Sequence, residues 1–69
     1  MTIDYKAIGE RIRYHRRMNG LTQAQLADSI GCSTSFVGLI ERGDRKMSIE
    51  TLCKLSEALH LSTDCILGY

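Results

Sequence analysis

Apolar residues along this chain recur at intervals of three and four, and the runs are broken by glycines or by single small polar residues. That period marks one face of an α-helix. Ile8 and Ile12 stand four apart, and Tyr5 extends the same stripe, which predicts a first helix over residues 4–18. Asn19-Gly20 ends it, since both residues tolerate left-handed backbone, and Leu21 packs back from the connection. Thr22 followed by Gln25 is a capping box. It opens a helix over 23–29 with Ala24, Leu26, Ala27 and Ile30 on its apolar side and Gly31 at its end. Ser33 caps a third helix over 34–42, with Val37 and Ile40 facing inward and Gly43 closing it. Ser48 caps a fourth over 49–59, with Glu50 in the first turn, where negative charge suits the helix dipole. Its apolar face is broad: Ile49, Leu52, Cys53, Leu55, Ala58 and Leu59. Ser62 caps a short fifth helix over 63–67 that Gly68 ends, with Leu61, Ile66 and Leu67 buried. The chain has no proline and no strand-like alternation of useful length. The prediction is an all-α, five-helix domain.

Composition bounds this picture. Sixty-nine residues make one domain, residues 1–69, and so short a chain needs efficient helix packing or a partner chain. A hydrophobic fraction of 43% is enough for a core and argues against disorder. No apolar run approaches the ~18 residues of a membrane span. The opening segment from Met1 to Lys6 lacks the apolar core of a secretion signal, so a cytoplasmic protein is expected. Cys32, Cys53 and Cys65 are odd in number and widely spaced, with no C-x-x-C. They read as small reduced packing residues rather than as disulfides or zinc ligands. His15 and His60 form no ligand pair in sequence and read as surface or partly packed residues. No metal, cofactor or small-molecule ligand is expected. Neither histidine stands in a nucleophile motif, and no phosphate-binding glycine loop or hydrolytic carboxylate pair occurs, so an enzyme is not expected.

Net charge is only +1, but it is unevenly spread. Residues 1–46 hold eight Lys/Arg against five Asp/Glu, or +3, and residues 47–69 hold one against three, or −2. The basic side chains fall on the first helix (Lys6, Arg11, Arg13, Arg16, Arg17) and around the end of the third (Arg42, Arg45, Lys46). One end of the molecule can thus be positive, as nucleic-acid binding requires, although a solvated helix face has the same composition.

The stretch from Thr22 to Gly43 is a short helix, a tight glycine turn and a second capped helix, the arrangement of a helix-turn-helix. Ala27 is small enough for the two helices to approach, and Gly31 supplies the positive φ of the turn. A generic helical hairpin shares much of this. The pattern T-Q-x-x-L-A-x-x-x-G-x-S-x-x-x-V-x-x-I-E-x-G is filled by Thr22, Gln23, Leu26, Ala27, Gly31, Ser33, Val37, Ile40, Glu41 and Gly43. In this it resembles the phage repressor and Cro family of helix-turn-helix domains, the Xre-like proteins of bacteria. The opening Ile8-Gly9-Glu10-Arg11-Ile12-Arg13 and the ending Ile49-Glu50-Thr51-Leu52, Ala58-Leu59 and Leu61-Ser62-Thr63-Asp64 extend the likeness over nearly the whole chain.

The resemblance implies a repressor-like domain, with the second and third helices as the helix-turn-helix and residues 33–42 reading the major groove of double-stranded DNA. Gln23 is then a phosphate contact, and Ser33, Thr34 and Ser35 form the turn that meets base edges. Phe36 presses on sugar or a thymine methyl. Gly38 and Leu39 replace the polar side chains usual at their positions, and Leu39 is either a partly exposed contact or partly buried. With so few bidentate donors, discrimination is modest, weighted to A·T pairs or carried by DNA shape. Arg45 and Lys46 are candidates for phosphates, with a solvated loop as the alternative. Arg11, Arg13 and Arg17 are more distant candidates. Arg16 and Glu41 match a structural ion pair that fixes the reading helix on the first helix. The expected function is that of a sequence-specific transcriptional regulator, a repressor, acting as a homodimer on a pseudo-palindromic operator. Its half-sites lie about 34 Å apart, and its dimer surface is the corner of the last two helices with Leu67-Gly68-Tyr69. The alternative is a protein-interaction module on the same fold, using the Phe36/Leu39 surface with weak or no DNA binding.

Overall fold

Each helix begins where a short polar side chain can satisfy an orphan backbone N–H. In the computed structural model, which describes residues 3–69, the elements are α1 (Tyr5–Met18), α2 (Gln23–Ile30), α3 (Thr34–Arg42), α4 (Ile49–Leu59) and α5 (Thr63–Leu67). Met1 and Thr2, part of the segment read as lacking a secretion signal, lie outside the described residues. Among the described residues there is no strand, and no helix is long and apolar enough to cross a membrane.

The predicted boundaries are met to within a residue. Asp4 is not the first residue of α1 but its N-cap, with a carboxylate oxygen accepting from the Ala7 N–H at 3.1 Å. Around Thr22 the capping box is complete. The Thr22 hydroxyl accepts from the Gln25 N–H at 3.1 Å, and the Thr22 N–H donates to Gln25 Oε1 at 2.9 Å. Ser33, Ser48 and Ser62 cap α3, α4 and α5 with the hydroxyl half of that arrangement, accepting from the N–H of Phe36, Thr51 and Cys65.

Helix ends are less uniform. Glycine occupies the left-handed position after α2, α3 and α5, but after α4 that position falls to His60, at φ 56°. A side chain with a Cβ is strained there by roughly 1 kcal/mol. His60→Gly should therefore raise the midpoint of thermal unfolding by a few degrees, about 4–8 °C per kcal/mol gained in a domain of this size. A lowered midpoint in a calorimetric melt would show that the imidazole stabilises this corner more than the strain costs.

The core draws on all five helices: Ile8 and Ile12, then Leu26, Ala27 and Ile30, then Val37 and Ile40, then Leu55 and Leu59, and Ile66. Leu21, Leu52, Ala58, Leu61 and Leu67 pack against it half-buried. The apolar face predicted for α4 proves wider than the core it meets. Leu55 and Leu59 go inside, whereas Ile49 is 81% exposed and Cys53 is exposed. Ala24 and Cys65 are exposed as well, so of the three thiols only the half-buried Cys32 packs, and all three are free.

Two close approaches seat α3. Gly9 of α1 crosses the end of α3, where a Cβ on Gly9 would lie 2.6 Å from the Glu41 carbonyl oxygen and closer still to that of Ile40. Gly43 turns the chain at φ 76°, and a Cβ there would lie 2.6 Å from Lys6 Cα. Both glycines let α3 rest directly on the backbone of α1.

Candidate nucleic-acid interface

Arg16 and Glu41 form the predicted ion pair between α1 and α3. Arg16 Nε donates to Glu41 Oε2 at 2.6 Å and Nη2 donates to Oε1 at 3.2 Å, with the two residues 8% and 5% exposed. The third guanidinium nitrogen, Nη1, donates to the Leu21 carbonyl at 2.8 Å. A fork-to-fork pair of this kind fixes direction as well as distance. It ties the end of α3 to α1 and to the connection before α2.

Gln23 belongs to the same network. Its side-chain amide donates to Glu41 Oε1 at 3.1 Å, so the side chain is drawn towards α3 rather than left extended in solvent. It crosses beside Gly38, its amide 3.9 Å from where a Cβ on Gly38 would stand. Arg42, one helical turn beyond Gly38, folds back over the same glycine, with Nη1 at 3.4 Å from that point. Long side chains at i+4 cover the helix surface above residue i. Gly38 is consequently buried and presents no surface of its own, which corrects its place among the groove contacts expected from sequence. The gap it leaves holds the Gln23 amide and the Arg42 guanidinium side by side. In sequence Arg42 reads only as part of a basic cluster. Its i+4 spacing from a glycine on the exposed face was the signal available in sequence.

Thr34 and Ser35 are exposed at the first turn of α3. Ser33 is exposed too, but its hydroxyl is engaged as the cap, accepting from the Phe36 N–H at 3.1 Å. Phe36 and Leu39 are half-buried, and the Arg45 guanidinium carbon lies 5.4 Å from the centre of the Phe36 ring. The large exposed apolar side chains among the described residues, Ile3, Tyr14, Met18, Ile49 and Tyr69, belong to neither α2 nor α3. An interaction surface built on Phe36 and Leu39 thus lacks a broad apolar patch. Arg45 and Lys46 are exposed beyond the end of α3, and Arg42 Nε reaches Asp44 at 3.4 Å in an exposed pair that contributes little to stability. Arg11 is turned away from this face. It donates to the Ile66 carbonyl at 3.4 Å and lies against Gly68, at the end of α5, whereas Arg13 and Arg17 are exposed on α1.

A short helix, a left-handed glycine turn and a second helix locked from behind, with a basic loop at its end, define a DNA-binding helix-turn-helix protein. The family model for helix-turn-helix domains matches residues 12–64. The control protein C.SmaI of Serratia marcescens is 36% identical over 66 residues, which cover 94% of this chain and 79% of that protein. Among solved structures, the restriction-modification controller protein C.AhdI of Aeromonas hydrophila superposes with a TM-score of 0.88 at 35% identity, covering 94% of this chain and 98% of that one. The P22 c2 repressor bound to a synthetic operator superposes with a TM-score of 0.84 at 37% identity, covering 87% and 91%. The chain belongs to the helix-turn-helix family, in its phage-repressor and Xre-like branch, and it is a DNA-binding transcriptional regulator rather than an enzyme.

Proposed function

We propose that this regulator is a sequence-specific repressor that lays the first turn of α3 in the major groove of its operator. The observation that carries this reading is the exposed pair Thr34 and Ser35 at the start of a helix whose other end is held by the buried Arg16–Glu41 pair. A base-reading element needs both: side chains free to meet base edges, and a backbone that does not move when they do. In this reading Gln23, Arg42 and Lys46 take backbone phosphates. Gln23 and Arg42, side by side over Gly38, form a two-donor clamp, one neutral and one charged. Each phosphate neutralised by Arg or Lys steepens the fall of affinity with salt by roughly one unit of log–log slope. The likeness to a repressor solved on an operator supports this function.

The operator is pseudo-palindromic and the regulator a cytoplasmic homodimer, with half-sites about 34 Å apart on one face of the duplex. The corner of α4 and α5 with Leu67, Gly68 and Tyr69 supplies the dimer surface. An apolar cleft beside it, lined by Ile3, Tyr5, Ile8, Met47, Ile49, Leu52 and Leu67, supports this, because a second copy would cover side chains as exposed as Ile49.

Gel shifts against random duplex pools at two salt concentrations test the proposal. Binding at low salt that weakens steeply at high salt is expected, and no binding at low salt refutes it. Ser35→Glu is the sharper variant. A carboxylate in the first turn suits the helix dipole, so the fold is expected to persist, yet the same charge faces phosphates inside the groove. Affinity should fall at least a hundredfold with the thermal midpoint preserved. Unchanged affinity would mean that this turn stays outside the groove.

A further inference from the structure

On sequence grounds the exposed side of α3 is poor in the two-pronged donors that distinguish bases. Thr34 and Ser35 carry short hydroxyls, Gly38 carries nothing and Leu39 is apolar. The three-dimensional arrangement brings a fork from elsewhere. Arg45 follows the left-handed turn at Gly43, and its guanidinium sits over the ring of Phe36, 5.4 Å from the centroid, near the start of the reading helix. That distance is within the range of a cation–π contact. Phe36 is a firm platform: the residue packs against the core, and its N–H is held by Ser33.

We propose that Phe36 is a positioning residue and that Arg45, held on its ring, reads a guanine edge in the major groove beside the pairs met by Thr34 and Ser35. The assignment rests on the DNA-binding function above. Three observations favour it over a phosphate contact for Arg45 and a direct base contact for Phe36. Among the described residues no hydrogen bond or ion pair takes up the Arg45 guanidinium over the ring, and its fork of N–H groups matches O6 and N7 of guanine in a bidentate pair. No carboxylate lies within ion-pair distance of Arg45 among the described residues, whereas Arg42 Nε reaches Asp44 at 3.4 Å. The Phe36 ring, half-buried against the core, already has the Arg45 guanidinium over it, which limits its own access to a thymine methyl. The expected site therefore contains a required G·C pair, in place of the A·T weighting that the sequence suggested.

Selection from random duplexes with the wild-type chain, followed by affinity measurements on single-pair variants of the selected site, tests this. The wild type should prefer G·C at one pair of each half-site by about five- to a hundredfold over the alternatives. Arg45→Ala should flatten that preference, leave the other pairs unchanged and leave the salt slope nearly unchanged. Phe36→Leu should weaken the preference at the same pair, Phe36→Tyr should retain it, and Phe36→Leu combined with Arg45→Ala should flatten it no further than Arg45→Ala alone. Melting curves on each variant establish that it is folded, and Arg45→Ala changes only an exposed side chain. The proposal is overturned if Arg45→Ala weakens all duplexes alike and lowers the salt slope by about one, as a phosphate contact would. It is equally overturned if Phe36→Leu leaves the G·C preference intact. Failure of the wild type to bind any duplex at low salt would instead remove the DNA-binding function on which the assignment rests.

Discussion

Gly9→Ala should destabilise the domain by about 3 kcal/mol or more, at the upper end of what overpacking costs. The added methyl would stand 2.6 Å from the Glu41 carbonyl oxygen, against backbone rather than a flexible side chain. Relief requires α1 and α3 to separate, which also stretches the Arg16–Glu41 pair. For a domain of this size the thermal midpoint should fall by roughly 12–24 °C. Gly38→Ala is the matching control. It too lies within a helix, but its new methyl meets only side-chain ends, Arg42 at 3.4 Å and the Gln23 amide at 3.9 Å, and alanine favours the helix by ~1 kcal/mol. It should be neutral or stabilising. Equal midpoints for Gly9→Ala and the wild type would mean that α3 does not depend on close contact with α1.

Glu41→Leu should cost about 3–5 kcal/mol, because it leaves the buried Arg16 guanidinium with the Leu21 carbonyl as its remaining partner. The double variant Arg16→Met/Glu41→Leu should recover most of that loss, since replacing a buried pair by apolar side chains of similar size is often close to neutral. Urea unfolding of the wild type, both single variants and the double variant would measure the coupling between them. A single variant costing under about 1 kcal/mol would show that water reaches the site. The recovered double variant should still bind DNA less well than the wild type. Gln23 loses the acceptor that holds its amide beside Arg42, so stability and affinity should part company.

Much of the fold was legible in the chain because caps and stops are local. Thr22 with Gln25, and Ser33, Ser48 and Ser62, each act on a backbone N–H three residues away, so their pattern predicts their structure. Inward-facing pairs such as Ile8 with Ile12 and Val37 with Ile40 were legible for the same reason, being one turn apart on one helix. Burial on α4 was not. Its apolar positions run around more of the helix than one core can cover, and where α2, α5 and α1 lie decides that Leu55 and Leu59 go in while Ile49 and Cys53 stay out. The left-handed corner at His60 was also hidden, since nothing in a histidine announces positive φ.

The candidate interface divides in the same way. The sequence by itself determined five capped helices, the glycine turn between the second and third and the exposed start of the third. These follow from residue identity and spacing within a turn or two of helix. Only the tertiary structure decided that Gly9 is a contact point, that Gly38 is covered rather than offered, that Gln23 and Arg42 both reach over it and that Arg45 lies over Phe36. Each of these depends on how α1, α2 and the loop after α3 come to rest on α3. That arrangement is set by packing between distant segments, which no local pattern of residues encodes.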